Sequence, residues 1–356
     1  MNGQLLIKKD NLINNFSEIK KYSPNSKIMS VIKSNAYGHG MLEVAKTLKD
    51  SDAFAVATIK EAMFLRKNNI NKEIICLQGF SDSCEYKYCS ENNIRPVIHE
   101  FSQINIIEST AINKPIKLWI KIDTGMNRLG FHVSDFFEIF NKCNNNKNIE
   151  SPIGVMTHLA CADEDEDNVS ELQIIKILNI IEGQNTEISL FNSAGIIKYS
   201  KKLKHNDNWI RPGLMLYGVS PCTKLNNIHL KPAMTLTAPV ISVKDCKEGE
   251  SIGYGHTYKV KKDTRLAAIG IGYGDGFPRQ FSNLGKVYYE NNFFNIVGRV
   301  SMDIITVDIK NTNINVGSFV ELWGDNINIK EISKLINTIP YELMCNLGNR
   351  LNKKYI

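Results

Sequence analysis

Short apolar runs alternate with amphipathic stretches through the first two thirds of the chain, and no other feature narrows the possible folds as much. The runs 28–33 (IMSVIK), 53–58 (AFAVAT), 74–78 (IICLQ), 94–98 (IRPVI), 117–122 (KLWIKI), 153–158 (IGVMTH), 187–192 (EISLFN) and 209–211 (WIR) read as eight strands. Helical patterns separate them at Met41–Leu48, Glu61–Asn68, Ser83–Asn92, Phe101–Ser109, Asp135–Cys143 and Ser170–Ile181, with a weaker one near Ile196–Leu203. Repeated βα units in that number predict an α/β fold whose first part is a (β/α)8 TIM-type barrel. Such a barrel builds its site from loops at the carboxyl ends of the strands. Polar and glycine-rich residues fall at those ends: Lys33, the loop Asp123–Arg128, His158, the Asn192-Ser193-Ala194-Gly195 loop, and Arg211-Pro212-Gly213-Leu214.

From Ala233 onward the pattern changes to β-type segments at Met234–Val243, Arg265–Ile271, Lys286–Glu290, Phe293–Val297, Ile304–Ile309 and Ser318–Leu322, with one late helix at Ile329–Asn337. A barrel domain over 1–223 and a mostly β domain over 224–356 are expected. The linker is placed at 219–232, which holds Pro221, Asn226, Asn227 and Pro232.

At 356 residues, 43% hydrophobic and 22% charged, the chain has enough apolar content for a large core. Its formal charge of +6 is dispersed, and no basic run supports a nucleic-acid partner. The eight cysteines form no CxxC pair and match no zinc spacing, so they read as reduced thiols. The acidic run Asp163–Asp167 has no companion ligands for a metal and reads as a solvated loop. The start, MNGQLLIKKDN, is too short in apolar residues for a signal peptide, and no later segment is long enough to span a membrane. A cytoplasmic protein is expected.

Lys33 follows an apolar strand and precedes small, turn-forming residues. A lysine held there by a packed stem, partly desolvated, has a lowered pKa and a neutral amine able to attack a carbonyl, which is what a Schiff-base lysine needs. Gly38 and Gly40 let backbone approach a ligand closely, and Tyr37 adds a hydroxyl. A solvated lysine on an ordinary βα loop is the competing reading.

The segment Lys33-Ser34-Asn35-Ala36-Tyr37-Gly38-His39-Gly40 resembles the pyridoxal-phosphate lysine motif of the alanine racemase family, of fold type III. The resemblance runs over nearly the whole chain. It implies pyridoxal 5'-phosphate as cofactor, L- and D-alanine as substrates, a role in supplying D-alanine for peptidoglycan, and a head-to-tail homodimer with shared sites. In a racemase the cofactor is the electron sink, and the protein provides the lysine, a phosphate cradle, a partner for the pyridine nitrogen and an acid/base group on each face.

For the cradle the resemblance points to Tyr37, Asn192, Ser193 and the backbone amides of Gly213 and Leu214. The motif Arg211-Pro212-Gly213-Leu214-Met215-Leu216-Tyr217-Gly218 is similar to one that directs its arginine at the pyridine nitrogen. His158 would orient Arg211 and the second base by hydrogen bonding. Arg128 looks like the arginine that meets the cofactor ring hydroxyl near the substrate carboxylate, and Lys121 matches a lysine that some members carbamylate. Tyr254 resembles the catalytic tyrosine, with Tyr258 as the rival within its motif. Tyr273, Met302 and Asp303 resemble substrate-side residues that reach the partner's barrel. Lys33 and Tyr254 would be the two bases. Asn349 stands where some members have a phosphate-binding tyrosine.

Decarboxylation is disfavoured because Arg211 replaces the glutamate such enzymes place at the pyridine nitrogen. A racemase of serine or lysine, and a non-catalytic cofactor-binding protein, stay open.

Overall fold

The computed structural model describes residues 3–201, 208–222, 228–310 and 312–356. The chain opens with strand β1 (Gln4–Ile7) and helix α1 (Lys9–Tyr22), then enters a parallel barrel. Its strands are β2 (Lys27–Val31), β3 (Ala53–Val56), β4 (Glu73–Cys76), β5 (Ile94–Ile98), β6 (Trp119–Asp123), β7 (Ile153–Met156), β8 (Thr186–Ser189) and β9 (Trp209–Ile210). They pair in the order β9-β2-β3-β4-β5-β6-β7-β8, and a parallel bridge between Ile188 and Asn208 completes the circuit. The expected eight-stranded barrel is formed. Its strands are continuous apolar runs, such as the fully buried Ala53–Val56, because the barrel interior covers one face and helices the other.

The helices Met41–Thr47, Ile59–Lys67, Ser83–Glu91, Phe101–Ser109, Phe136–Asn144, Ser170–Ile181 and Ser193–Tyr199 follow the expected patterns, two with the expected ends and the first, second, third and fifth with ends shifted by up to two residues; the last starts three residues before its expected pattern, which also ran into residues outside the described set. Two boundaries matter for the site. β2 ends at Val31 rather than at Lys33, and β7 ends at Met156 rather than at His158, so both side chains stand on loops just past the strands.

At the amino ends of the strands the barrel is plugged by polar groups. Buried Arg95 pairs with Glu187 at 2.6 Å and lies 4.3 Å from the centroid of the Trp119 ring. Trp209 Nε1 donates to Glu187 Oε1 at 2.9 Å. Gly154 faces this cluster, and a Cβ there would lie 2.6 Å from the Arg95 guanidinium.

The second domain is a sheet built on the long strand β10 (Met234–Cys246), which pairs with β11 (Thr264–Ile269), β15 (Phe319–Trp323) and β1. The strands β12 (Lys286–Tyr289), β13 (Asn292–Asn295) and β14 (Ile305–Asp308) extend it, and β16 (Asn352–Tyr355) pairs in parallel with β1. Gln4–Ile7, within the segment 1–223 expected to hold the barrel, pair in the other sheet. The dividing point itself lies outside the described residues. The late helix spans Ile329–Leu335, and a further one at Pro340–Cys345 brings the second domain over the barrel mouth.

Removing one member of a buried ion pair leaves the other charge unpaired in a poor solvent. Glu187→Gln is expected to lower unfolding free energy by about 3–5 kcal/mol in urea denaturation. Replacing Asp263, whose pairing with Lys247 is at the surface, should leave the midpoint where it is.

Candidate active site

A cavity of about 570 Å³ opens at the carboxyl ends of the barrel strands. Lys33, Tyr37, Lys121, Arg128, His158, Asn192, Ser193, Arg211 and Gly213 all line it, and among the described residues no acidic side chain does. Lys121 stands on β6 itself, and the others follow the carboxyl ends of β2, β6, β7, β8 and β9.

Lys33 precedes a turn with unusual backbone. Ser34, Asn35, Ala36 and Tyr37 all have positive φ, between 51° and 54°, which makes one turn of left-handed helix before Gly38 at 79°. For residues with a Cβ this conformation costs roughly 1–2 kcal/mol each, so contacts must hold it. Glu61 receives the Ser34 amide on Oε1 at 2.7 Å and the Ala57 amide on Oε2 at 2.7 Å, while its own amide is capped by Thr58. Asn35 Oδ1 accepts from the Met41 amide at 2.9 Å. Lys33 is thereby fixed half-buried, and burial together with Arg128 lowers its pKa.

Arg211 is buried beneath the cavity. Its Nη1 donates to Ser189 O at 2.7 Å and Ser189 Oγ at 2.5 Å, and its Nη2 to Thr157 O at 2.6 Å. The expected hydrogen bond from His158 to Arg211 is not made, because strand-end carbonyls of β8 and of the segment after β7 already take both terminal nitrogens. Burial pulls the guanidinium down to about 10, leaving it charged at neutral pH. His158 is kept neutral by burial and by Arg211, its pKa falling well below the ordinary histidine value. Lys121 is pushed down to about 8 by burial, Arg211 and Arg128.

The loop carrying Arg128 is organised by Asp123, whose Oδ1 accepts from the amides of Gly125, Met126 and Asn127 and whose Oδ2 accepts from the Arg128 amide. Burial works against the ionised carboxyl, yet these amides hold its pKa below the usual aspartate value.

On the opposite wall Ser193 Oγ accepts from the Gly213 amide at 3.0 Å and the Met215 amide at 3.4 Å. Its own O–H remains to donate. The Gly213 amide, expected to face a ligand, is thus spent on Ser193, whereas no acceptor meets the Leu214 amide among the described residues. Asn192 lines the cavity and turns its Oδ1 to the Gly195 amide at 2.9 Å, which caps the following helix. A Cβ on Gly213 would stand 2.6 Å from Tyr37 Oη, so only glycine lets the backbone pass this hydroxyl.

Two site residues were missed. Tyr341 and Ile339, at the start of the second domain's last helix, also line the cavity, and Tyr341 packs on Tyr37 with ring centroids 5.5 Å apart. Asn349 lies elsewhere, in a separate depression with Cys345 and Lys353, whereas Tyr341 of the same carboxyl-terminal segment lines the cavity. Neither the Tyr37 nor the Tyr341 hydroxyl has a hydrogen-bond partner among the described residues.

Tyr254, Tyr273, Met302 and Asp303 do not line this cavity in their own chain. They are exposed on the second domain, Tyr254 by 69% and Met302 by 52%. The Tyr273 amide donates to Ser301 O and the Gly274 amide to Met302 O, which joins two of the segments; Arg350 pairs with both Asp303 and Asp275. Tyr254 sits in a tight turn between Gly253 (φ 68°) and Gly255 (φ 70°), projected outward.

A cavity lined by cations, two unpartnered phenols and a serine hydroxyl, with backbone drawn close at Gly213, fits a ligand bearing phosphate and carboxylate. The lysine of lowered pKa fits an aldehyde. Pyridoxal phosphate has the phosphate and the aldehyde, and an amino acid has the carboxylate.

The chain matches the family model "Alanine racemase, N-terminal domain" over residues 7–221 and "Alanine racemase, C-terminal domain" over 233–355. It is 39% identical over 355 residues to the alanine racemase of Photobacterium profundum, covering 98% of both chains, and 39% identical over 348 residues to that of Coxiella burnetii, covering 96% of this chain and 95% of the other. The biosynthetic alanine racemase of Pseudomonas aeruginosa superposes with a TM-score of 0.94 at 31% identity over the whole of both chains. The alanine racemase of Bartonella henselae, solved with covalently bound pyridoxal phosphate, does so at 0.90 and 28% over the whole of both. Fold, cavity and sequence agree, and the chain belongs to the alanine racemase family.

Proposed function

We propose that this protein interconverts L- and D-alanine by two-base α-proton transfer, with pyridoxal 5'-phosphate held in the barrel cavity, and supplies D-alanine for peptidoglycan. The observation that carries the reading is the half-buried Lys33 amine at a cavity lined by cations and no described acid. When bound, the cofactor supplies an electron sink that makes the α-proton of an amino acid removable.

Lys33 Nζ would hold the cofactor through its aldehyde and would hold or return the α-proton on one face, that of the D-enantiomer. Its lowered pKa makes the neutral amine available nearer neutral pH. Ser193 Oγ, which already accepts from two amides, would donate its hydrogen to the phosphate, joined by the Tyr37 and Tyr341 hydroxyls and the Leu214 amide. Arg211 has Nη1 and Nη2 tied to carbonyls, which leaves Nε for the pyridine nitrogen. A guanidinium that keeps its proton leaves that nitrogen unprotonated, so the sink is weaker and side reactions such as transamination are fewer. Arg128 takes the substrate carboxylate and the ring hydroxyl. Carbamylation of Lys121 would place an anion among Arg128, Arg211 and Lys33, relieving the repulsion that pushes its pKa to about 8.

The second base is Tyr254 of another copy of this chain, acting on the L-enantiomer, with Tyr273, Met302 and Asp303 beside it. Support for a head-to-tail homodimer is that these residues are exposed in one chain and absent from the lining of its own cavity.

Tyr254→Phe is expected to keep bound cofactor but to lose exchange of the L-alanine α-proton with deuterated solvent by about 10²–10⁴-fold, the range for removing a general base; unchanged exchange would take Tyr254 out of the mechanism. Gly213→Ala is expected to weaken pyridoxal phosphate binding by about tenfold or more, the equivalent of one lost hydrogen bond to a charged group, in a spectroscopic titration. Optical rotation followed with alanine, serine and lysine identifies the substrate, and inertness toward alanine would overturn the function.

A further inference from the structure

We propose that His39 is the positioning residue that locks the Lys33-bearing turn in its left-handed form, acting as a neutral ring with its proton on Nδ1. The inference deepens the racemase reading in its activity arm and stands on the turn's geometry otherwise.

His39 is completely buried, and its Nδ1 lies 3.1 Å from Ala36 O and 2.9 Å from Tyr37 O. Both neighbours are carbonyls and can only accept, so Nδ1 carries the hydrogen and serves two oxygens of the turn at once. The backbone bonds of the turn run from Ala36 N to Ile32 O, from Gly38 N to Ser34 O and Ala36 O, from His39 N to Ala36 O at 3.0 Å and from Gly40 N to Asn35 O, and none of these uses the Tyr37 carbonyl. Among the described residues the Tyr37 carbonyl is thus held by the His39 side chain, and the Ala36 carbonyl by that side chain together with the amides of Gly38 and His39.

The ring is fixed from the other side as well. Its centroid is 4.5 Å from that of Tyr217, whose hydroxyl donates to Val31 O at the end of β2 at 2.9 Å. His39 therefore spans from the strand end before Lys33 to the turn after it. Its Nε2 is buried without a partner, which a neutral acceptor nitrogen tolerates better than an N–H would. Burial depresses the ring to about 4, consistent with that tautomer at physiological pH. Lys33 and Tyr37, at the two ends of the turn, both line the cavity, so a turn that relaxes moves Lys33 Nζ and Tyr37 Oη.

Two substitutions separate these roles. His39→Phe keeps the ring on Tyr217 and removes the donor; His39→Asn removes the ring and keeps an N–H at the place of Nδ1. Amide hydrogen exchange on the full chain reads the turn whether or not cofactor binds. The expected result is loss of protection at Ala36, Gly38 and Gly40 in His39→Phe, by about tenfold as for a lost hydrogen bond, and near-parental protection in His39→Asn. With added pyridoxal 5'-phosphate, His39→Phe should release it about tenfold faster and lose kcat rather than raise KM for alanine, and His39→Asn should recover both. Parental exchange and release in His39→Phe, with only a lowered melting temperature, would overturn the proposal. Should His39→Phe not fold, His39→Asn decides it: retained protection supports the lock and lost protection refutes it. A parent chain that shows the protection pattern but neither binds pyridoxal phosphate nor exchanges the alanine proton refutes the racemase reading and leaves the lock standing.

Discussion

Positive charge concentrated without an opposing acid is the constraint to which the barrel mouth answers. Lys33, Lys121, Arg128 and Arg211 converge on one cavity, and each would be cheaper to hold in water or beside a carboxylate. The fold resists their repulsion by binding the loops rather than by neutralising the charges. Asp123 and Glu61 are the nearby acids, and each spends its oxygens on backbone amides of the loops that carry the cations. Arg211 is restrained by neutral carbonyls. The cavity is left with a net attraction for anions that a loosely tethered cluster would lose by splaying apart.

Strain at Ser34–Tyr37 belongs to the same economy of position. A right-handed or extended continuation from β2 would point successive side chains differently, and only the left-handed turn sets Lys33 and Tyr37 on one side of the loop. Several contacts from distant parts of the chain converge on it: Glu61 from the next βα unit, Tyr217 under the ring of His39, and Lys353 from the last strand, whose Nζ donates to Gly38 O at 2.7 Å. The turn is over-determined, as a strained segment in a working site has to be.

Most of the barrel was legible because its strands are buried on both faces and its helices on one, so periodicity and run length separate them. Phe101–Ser109 and Ser170–Ile181 were read with their ends correct. What was not legible has physical reasons. Gln4–Ile7 is a four-residue strand whose partners lie more than two hundred residues away, and Asn352–Tyr355 (Asn-Lys-Lys-Tyr) is a sheet-edge strand with no apolar run. Helix α1 does carry Leu12, Phe16 and Ile19 at helical spacing. At the site, residue types were legible but hydrogen-bond partners were not: Asn192 and Ser193 both line the cavity, yet Asn192 Oδ1 caps a helix while Ser193 Oγ takes the Gly213 amide. The left-handed turn could not be foreseen, since none of its four residues is glycine.

The pairing of β1 between β10 and β16 reaches beyond static architecture. Among the described residues the second sheet joins strands at Gln4–Ile7 and Asn352–Tyr355, so on the ribosome it stays incomplete until residues 352–355 have emerged. During that interval β1 presents an unsatisfied strand edge while the barrel assembles behind it. Newly made chains at high concentration therefore have one obvious wrong partner, the same strand of a neighbour, and slow emergence of residues 352–355 lengthens their exposure to it.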